Sequence, residues 1–186
     1  MLAGLLVCFF LPGLAQEEKK ILHAANKAYY SGKYMESTSI YKKSLKEKPT
    51  YYKANFNLGD ALYKTASLIK TGKMPPPNKM MTADSAANLV FEQAAEQFEV
   101  VAKSVNHADT VHKAWHNYGN AKLQQKNYED AVSGYKKALR MNPKDEETRY
   151  NLAYAQRKLK EQQKNQNKNQ DQKKDKQQQE KDQQKV

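Results

Sequence analysis

The chain has 186 residues, of which 39% are hydrophobic and 28% are charged. This length and composition fit one modest globular domain with some unstructured chain, and they exclude an assembly of several domains. The formal net charge of +12 at pH 7 favours acidic proteins, anionic lipid headgroups or nucleic acid as partners, and disfavours basic ones.

The N-terminal stretch MLAGLLVCFFLPGLAQ is typical of a secretory signal peptide. Its apolar run, residues 2–11, is about half the roughly 20 residues that a membrane-spanning helix needs. We therefore predict that residues 1–15 are a signal cleaved after Ala15, with a retained anchor as the alternative. The chain is then exported, and periplasmic or membrane-associated in a Gram-negative bacterium. Cys8 lies in this segment, so the mature chain has no thiol, and lipidation is disfavoured because Val7 precedes it.

Residues 112–145 carry small, aromatic and proline residues at regular spacing. In a 34-residue frame the positions 4, 8, 20, 24, 27 and 32 hold Trp115, Gly119, Ala131, Tyr135, Ala138 and Pro143. This is the tetratricopeptide pattern, in which two antiparallel helices cross closely, with small residues at the crossing and aromatic residues in the neighbouring holes. The proline ends the second helix, because it cannot donate to the helix ladder.

The same pattern recurs upstream, so we predict repeats at 18–51, 52–108 and 112–145. The first repeat carries the pattern residues Gly32, Tyr34, Tyr41, Leu45 and Pro49. The second has Leu58 and Gly59 at positions 7 and 8, and its second helix comes about 23 residues late, with Ala94 and Phe98 at positions 20 and 24.

The delay in the second repeat defines an insertion at residues 64–83. It has four lysines and three consecutive prolines, and no acid before Asp84. We expect the first helix of this repeat to extend to about Lys70, and the second to begin near Asp84 with an N-cap in the sequence DSAA. The insertion is either an arm that binds a partner or a tolerated surface segment.

After the third repeat, residues 146–160 predict one further first-type helix that caps the array. Residues 161–186 contain ten Gln, three Asn, seven Lys and five acids, and cannot bury a core. The predicted fold class is all-α: a tetratricopeptide helix-turn-helix solenoid of about three repeats plus a C-terminal capping helix, with a disordered polar tail.

In tetratricopeptide proteins, positions 2, 5, 6 and 9 of each first helix face a groove. The resemblance places these residues there: Lys19, His23, Asn26, Lys53, Asn57, Asp60, Lys113, His116, Asn117, Asn120, Tyr150, Asn151 and Tyr154. An asparagine can donate to a peptide carbonyl and accept from a peptide N–H, while lysines attract acidic side chains. We predict that an extended peptide binds there. The alternative is that these polar residues are simply a solvated helix face.

A subtype of the family binds C-terminal carboxylates. Its clamp is partly present in Asn26, Asn57 and Lys113, whereas Leu22 and Asn117 stand where that subtype has basic residues. We therefore expect peptide binding without a complete carboxylate clamp.

Other chemistries are less favoured by the sequence. His112 and His116, one helical turn apart and preceded by His107 and Asp109, have spacing that would suit zinc, but nothing at hand completes a tetrahedral site. The seven glycines form no phosphate-binding loop and no nucleophile elbow. The tyrosines fall largely on repeat core positions, which argues against a nucleic-acid surface. We expect a non-enzymatic protein with no cofactor, no metal and no nucleic-acid partner.

The signal, the few repeats, the closing RYNLAYAQRKLKEQQ and the Gln/Lys/Asn/Asp tail resemble the BatC-type proteins of the Bacteroides aerotolerance operon. This resemblance implies a periplasmic scaffold that works beside membrane-bound von Willebrand factor A-domain proteins in stress tolerance, with possible peripheral contact to the membrane. The alternative function is a self-associating structural scaffold that uses its convex face, insertion or tail and has no groove ligand.

Overall fold

The computed structural model describes the backbone of residues 12–183, and the side chains of residue 17 and residues 19–168. Within this part of the chain there are seven helices and no strand, so the all-α prediction is confirmed. The helices are α1 (Pro12–Tyr30), α2 (Tyr34–Glu47), α3 (Tyr52–Lys70), α4 (Ala83–Ser104), α5 (Ala108–Gln124), α6 (Tyr128–Met141) and α7 (Glu146–Gln183). They form two compact units, unit 1 up to Ser104 and unit 2 from Val105.

Unit 1 contains two antiparallel helix pairs. The turn between α1 and α2 contains Gly32, whose φ of +75° is a left-handed conformation that glycine adopts without cost. The pair α3/α4 closes at Gly59, where an added Cβ would lie 2.7 Å from the Phe98 ring. Gly59 and Phe98 therefore occupy the close crossing that the repeat pattern predicts.

Helix α3 extends into the predicted insertion 64–83 and ends at Lys70, as expected. Gly72 has a φ of +71°, and its N–H and that of Lys73 donate to the carbonyls of Ile69 and Leu68, at 3.0 and 2.9 Å. These two bonds satisfy carbonyls that the helix end leaves free. The lysine- and proline-containing segment 71–82 is not helical.

The expected N-cap of α4 is wrong by two residues. The helix begins at Ala83, and the Thr82 hydroxyl oxygen accepts from the Ser85 N–H at 3.1 Å. Asp84 instead lies in the first turn, where a carboxylate interacts favourably with the helix dipole. Aspartate ranks above threonine as a capping residue, so cap preference alone does not select Thr82.

Unit 2 repeats the crossing seen in unit 1. An added Cβ at Gly119 would lie 2.6 Å from the Tyr135 ring, so only glycine lets α5 and α6 approach this closely. The Asn127 side chain caps α6 by accepting from the Asp130 N–H. Trp115 is buried, with the Lys137 ammonium 3.9 Å from its ring centroid.

The last helix, α7, runs from the predicted cap into the polar tail. Gln, Lys and Glu favour helix, and the segment contains no glycine or proline that would break it. The side chains of residues 161–168 are all exposed, so this segment adds nothing to a core. A helix without a packing partner is marginal in water, which agrees with the expected polar tail.

The predicted signal, residues 1–15, falls mostly outside the described residues. Its last four residues, 12–15, form the first turn of α1. None of the described helices is both long enough and apolar enough to cross a membrane.

Candidate functional site

The predicted groove residues lie on the first helices of the hairpins and on the capping helix. In unit 1, α1 and α3 contact each other, and in unit 2, α5 and α7 do so. We call the two surfaces the α1/α3 face and the α5/α7 face. The α1/α3 face carries Lys19, His23, Asn26, Lys53, Asn57 and Asp60; the α5/α7 face carries Lys113, His116, Asn117, Asn120, Tyr150, Asn151 and Tyr154.

Two asparagines meet on the α1/α3 face. Asn57 Nδ2 donates to Asn26 Oδ1 at 3.0 Å, and the same oxygen accepts from the Tyr41 hydroxyl. Tyr41 is buried, and burial raises the pKa of its phenol, so it remains a hydrogen-bond donor at neutral pH. The buried tyrosine therefore fixes the orientation of the two half-buried amides.

The α5/α7 face has the same arrangement. Asn151 Nδ2 donates to Asn120 Oδ1 at 3.2 Å, and the Tyr135 hydroxyl donates to that oxygen at 2.7 Å. In both units the tyrosine lies 15 residues after the first asparagine, and the second asparagine lies 31 residues after the first one. We call each trio, Asn26–Tyr41–Asn57 and Asn120–Tyr135–Asn151, an amide latch.

The repeat pattern predicts the four asparagines on these faces, but it does not predict that the tyrosines orient them. The constant separation of 15 residues was the available signal. Because position 24 is aromatic in every repeat, this spacing by itself indicates only core packing.

Each latch leaves hydrogen-bonding groups for a ligand. Among the described contacts, Asn26 uses only its oxygen and Asn57 only its nitrogen. Asn26 Nδ2 can therefore donate to a peptide carbonyl, and Asn57 Oδ1 can accept from a peptide N–H. Asn120 and Asn151 offer the same pair of groups in unit 2.

Asp60 stands at position 9 of the second repeat, where the first and third repeats have asparagine. Burial raises the pKa of this carboxyl to about 7, with Lys64 opposing the rise. Burial, followed by the Asp60 charge, raises the pKa of the nearby Tyr29 to about 12. The α1/α3 face thus contains a carboxyl that changes its protonation state near neutral pH.

The three predicted lysines are all exposed, as is His23. Lys113 pairs with Asp109 on its own helix at 2.8 Å. Exposed pairs of this kind contribute at most about 1 kcal/mol, so a ligand carboxylate can compete for Lys113. Lys19 and Lys53 make the α1/α3 face basic at its outer edge.

His116 is partly buried and joins α5 to α7. Its Nδ1 lies 2.6 Å from Thr148 Oγ1, which in turn donates to Asp145 Oδ2 at 2.5 Å, so the histidine N–H donates to the threonine oxygen. Its Nε2 lies 3.6 Å from Glu147. Burial lowers the pKa of His116, against the attraction of Glu147. This residue is thus a structural contact of the capping helix, a role that the sequence did not reveal.

His112 has a similar structural role. Its Nδ1 lies 3.0 Å from the Ala138 carbonyl oxygen and its Nε2 lies 2.8 Å from Asp145 Oδ2. Asp145 also accepts from the backbone N–H groups of Glu147 and Thr148 and so caps α7. Within the described residues, no group of three or more His, Cys, Asp or Glu could hold a metal ion.

Two aromatic side chains stand at the surface of α7. Tyr150 is 72% exposed and Tyr154 is 36% exposed, and the Arg157 guanidinium lies 5.3 Å from the Tyr154 ring centroid. Aromatic rings beside a cation suit contact with a peptide, because they bury much area at little entropic cost. The remaining predicted residue, Asn117, lies on α5 and is partly buried.

Comparison with known proteins finds tetratricopeptide repeat proteins. Residues 119–160 match the family model described as TPR repeat. The first TPR of Spaghetti (RPAP3) bound to the HSP90 peptide SRMEEVD aligns with a TM-score of 0.59 at 19% identity, over 77% of this chain and 94% of that one.

The Sgt2 TPR domain from Aspergillus fumigatus aligns with a TM-score of 0.57 at 20% identity, over 80% of this chain and 82% of that one. The first TPR domain of human RPAP3 aligns with a TM-score of 0.54 at 18% identity, over 79% of this chain and 95% of that one. This chain has the tetratricopeptide repeat fold. The tetratricopeptide pattern deduced from spacing is therefore confirmed, while no curated protein matches the chain.

Proposed function

We propose that the chain is a non-enzymatic interaction module of the cell envelope that binds an extended, acidic peptide segment of a membrane-associated partner. The amide latches are the observation that carries this proposal. Each one presents an oriented donor and an oriented acceptor, at half-buried positions where hydrogen bonds to a peptide backbone are only partly exposed to water.

The charge of the two faces supports an acidic ligand. Lys19, Lys53 and Lys113 are exposed on them, and the chain as a whole carries +12. Attraction between charges of opposite sign raises the association rate, and salt weakens this attraction. A neighbour with the same fold was solved with the peptide SRMEEVD, which contains three acidic residues.

For the partner, we propose a von Willebrand factor A-domain protein of a Bat-type stress-tolerance complex, reached after export to the periplasm. The support is the signal-like N-terminus, together with the closing segment and polar tail that resemble BatC-type proteins. Peripheral contact between the basic chain and anionic lipid belongs to the same proposal.

The test is capture of partners from detergent-solubilised envelope by the full chain. The variant Lys19→Glu/Lys53→Glu reverses charge on the α1/α3 face, and Lys136→Glu/Lys144→Glu is the control, because it makes the same net change at exposed positions elsewhere. We expect a protein that the wild type and the control retain, that the first variant loses, and that 0.5 M salt releases.

A second arm replaces amides rather than charges. Asn57→Ala with Asn151→Ala, one asparagine from each latch, should also abolish capture, with circular dichroism used to check that the helices remain. If the captured proteins are the same for every variant, the faces bind no peptide. Capture of the chain itself alone would favour a self-associating scaffold that uses its convex face, insertion or tail.

A further inference from the structure

A small apolar cavity opens in unit 1, away from the predicted groove residues. Its walls come from α2, α3, α4 and the insertion 71–82, and include Met35 and Thr38 of α2, Leu62 of α3, Met74 and Pro77 of the insertion and Val90 of α4. No residue predicted for the α1/α3 face lines it. The proposed groove function and this cavity are therefore independent.

The insertion forms one wall of the cavity and is held firmly to the helices. Met74 N–H donates to the Leu68 carbonyl at 3.1 Å, and its side chain packs against the core cluster that includes Ile69 and Phe91. Met81, near the other end of the insertion, packs against the same cluster. The insertion therefore contributes a wall of the cavity that the helices alone do not supply.

The cavity has the size of a single large side chain. Its volume is about 150 Å³, and a dry cavity of about this volume can hold a benzene molecule. Methionines adapt their shape to different apolar groups, and Met35 at the edge is 58% exposed. A phenylalanine or leucine side chain therefore fits, whereas a whole folded element does not.

Thr38 adds a polar group to this apolar lining. Its hydroxyl oxygen is buried and has no hydrogen-bond partner within the described residues. The other lining threonine, Thr65, donates to the Ala61 carbonyl at 2.9 Å. Buried polar atoms are nearly always paired, so this hydroxyl is an exception beside an otherwise apolar lining.

The charge near the cavity selects among possible occupants. Between Asp60 and Asp84 the chain has four lysines and no acid, and Lys73 and Lys79 are exposed on the insertion that forms the wall. Carboxylates that flank an apolar side chain would be attracted to these lysines.

We propose that this cavity is a second docking site, which takes one bulky apolar side chain, phenylalanine or leucine, from an acidic segment of a partner protein. The insertion lysines attract the flanking acids. The insertion is then an arm that binds a partner rather than a tolerated surface segment.

The test uses methionine methyl groups as reporters. The full chain labelled with [¹³C-methyl]methionine is titrated with acetyl-Asp-Asp-Phe-Asp-Asp-amide and followed by NMR. We expect saturable shifts of the Met35 and Met74 methyls, which line the cavity, and no shift of Met141 in unit 2. Replacing the peptide phenylalanine with alanine should weaken binding at least tenfold. Replacing its aspartates with lysines should also weaken it several-fold.

Variants of the chain separate the cavity from the rest of the surface. Thr38→Leu fills the cavity and removes the hydroxyl, and should weaken binding at least tenfold, whereas Thr50→Leu, at an exposed threonine outside it, should leave binding unchanged. Lys73→Glu/Lys79→Glu should weaken binding, and Lys136→Glu/Lys144→Glu should not. Circular dichroism shows whether each variant is folded, and Lys73→Glu/Lys79→Glu tests the site without touching the core.

Several results would overturn the proposal. One is the absence of Met35 and Met74 shifts, and another is equal binding of the lysine-flanked peptide. Shifts with decanoate but not with the peptide would identify an amphiphile site instead. Concentration-dependent shifts without peptide would identify a second copy of the chain as the occupant. A change in these methyls on removal of residues 1–15 would identify the N-terminal segment.

Discussion

Lys126 adopts a left-handed backbone conformation, which a glycine adopts at the equivalent turn of the first hairpin. Its φ is +61°, and that of Gly32, at the same repeat position, is +75°. In both turns two N–H groups bond back to the preceding helix, and for Lys126 and Asn127 each of these bonds is 3.0 Å. A left-handed conformation costs a residue with a Cβ about 1 kcal/mol. The third repeat therefore tolerates a strain that the first repeat avoids.

We expect Lys126→Gly to raise the free energy of unfolding by about 0.5–1 kcal/mol, because it removes this strain. The reverse change, Gly32→Ala, should lower it by about 1 kcal/mol, since an added Cβ there meets no atom within 4 Å and only the backbone is strained. Urea denaturation of both variants measures the effect. A loss of stability in Lys126→Gly would show that the lysine side chain contributes more than its backbone costs.

Asp60 is the other residue at which a repeat departs from its neighbours. Its folded-state pKa, about 7, lies above its ordinary value of 3.8, so the folded chain binds a proton more tightly than the unfolded chain. The contribution of Asp60 to stability is therefore fully present below about pH 4, is lost as pH rises between about 4 and 7, and stays absent above 7.

Asp60→Asn, which restores the residue found at this position in the other two repeats, should stabilise the chain at pH 8 by about 2 kcal/mol, allowing for partial solvent screening. At pH 4 the two proteins should be nearly equal, because Asp60 is then protonated. Urea denaturation at both pH values is the measurement. An equal difference at pH 4 and pH 8 would mean that the carboxylate charge is not the cause.

At the scale of helices, the amide latches connect successive hairpins within each unit. The tyrosine belongs to the second helix of one hairpin, and the asparagine that completes the latch belongs to the first helix of the next. The second repeat has Phe98 at the tyrosine position and Asp60 at the asparagine position, so it lacks the hydroxyl that forms the latch. The first and third repeats thus share a polar contact that the second repeat lacks.

We expect Tyr135→Phe to destabilise unit 2 by about 1 kcal/mol, because Asn120 loses a donor while the ring and its packing are kept. Tyr150→Phe, at a position that is 72% exposed, is the matched control and should change stability by less than about 0.5 kcal/mol. Thermal unfolding by circular dichroism compares the two. Equal effects would show that the latch hydroxyl contributes nothing to stability.

At the scale of the whole molecule, the positive charge lies mainly on residues 1–160 rather than on the tail. Residues 161–186 contain seven lysines and five acids, so they account for little of the net +12. Long-range attraction of acidic partners therefore comes from the described units, including the insertion, and depends on salt. The polar tail is in keeping with a solubilising role.

The sequence by itself determined the helix pairs and their crossings. The pairs Gly119–Tyr135 and Gly59–Phe98 were predictable because close helix approach requires a missing Cβ opposite an aromatic ring, and this demand appears as fixed spacing. The end of α3 at Lys70 was predictable for a related reason, since the periodic pattern stops at glycine and proline.

Tertiary structure alone decided where polar side chains find their partners. The bond from His112 to Asp145 and the tyrosines of the latches depend on residues brought together from different parts of the chain. Several polar residues along the chain satisfy the same local rules equally well, and only three-dimensional proximity selects among them. The cavity behind the insertion could not be predicted for the same reason. The repeat spacing identifies the inserted segment, but it does not indicate which helices that segment packs against.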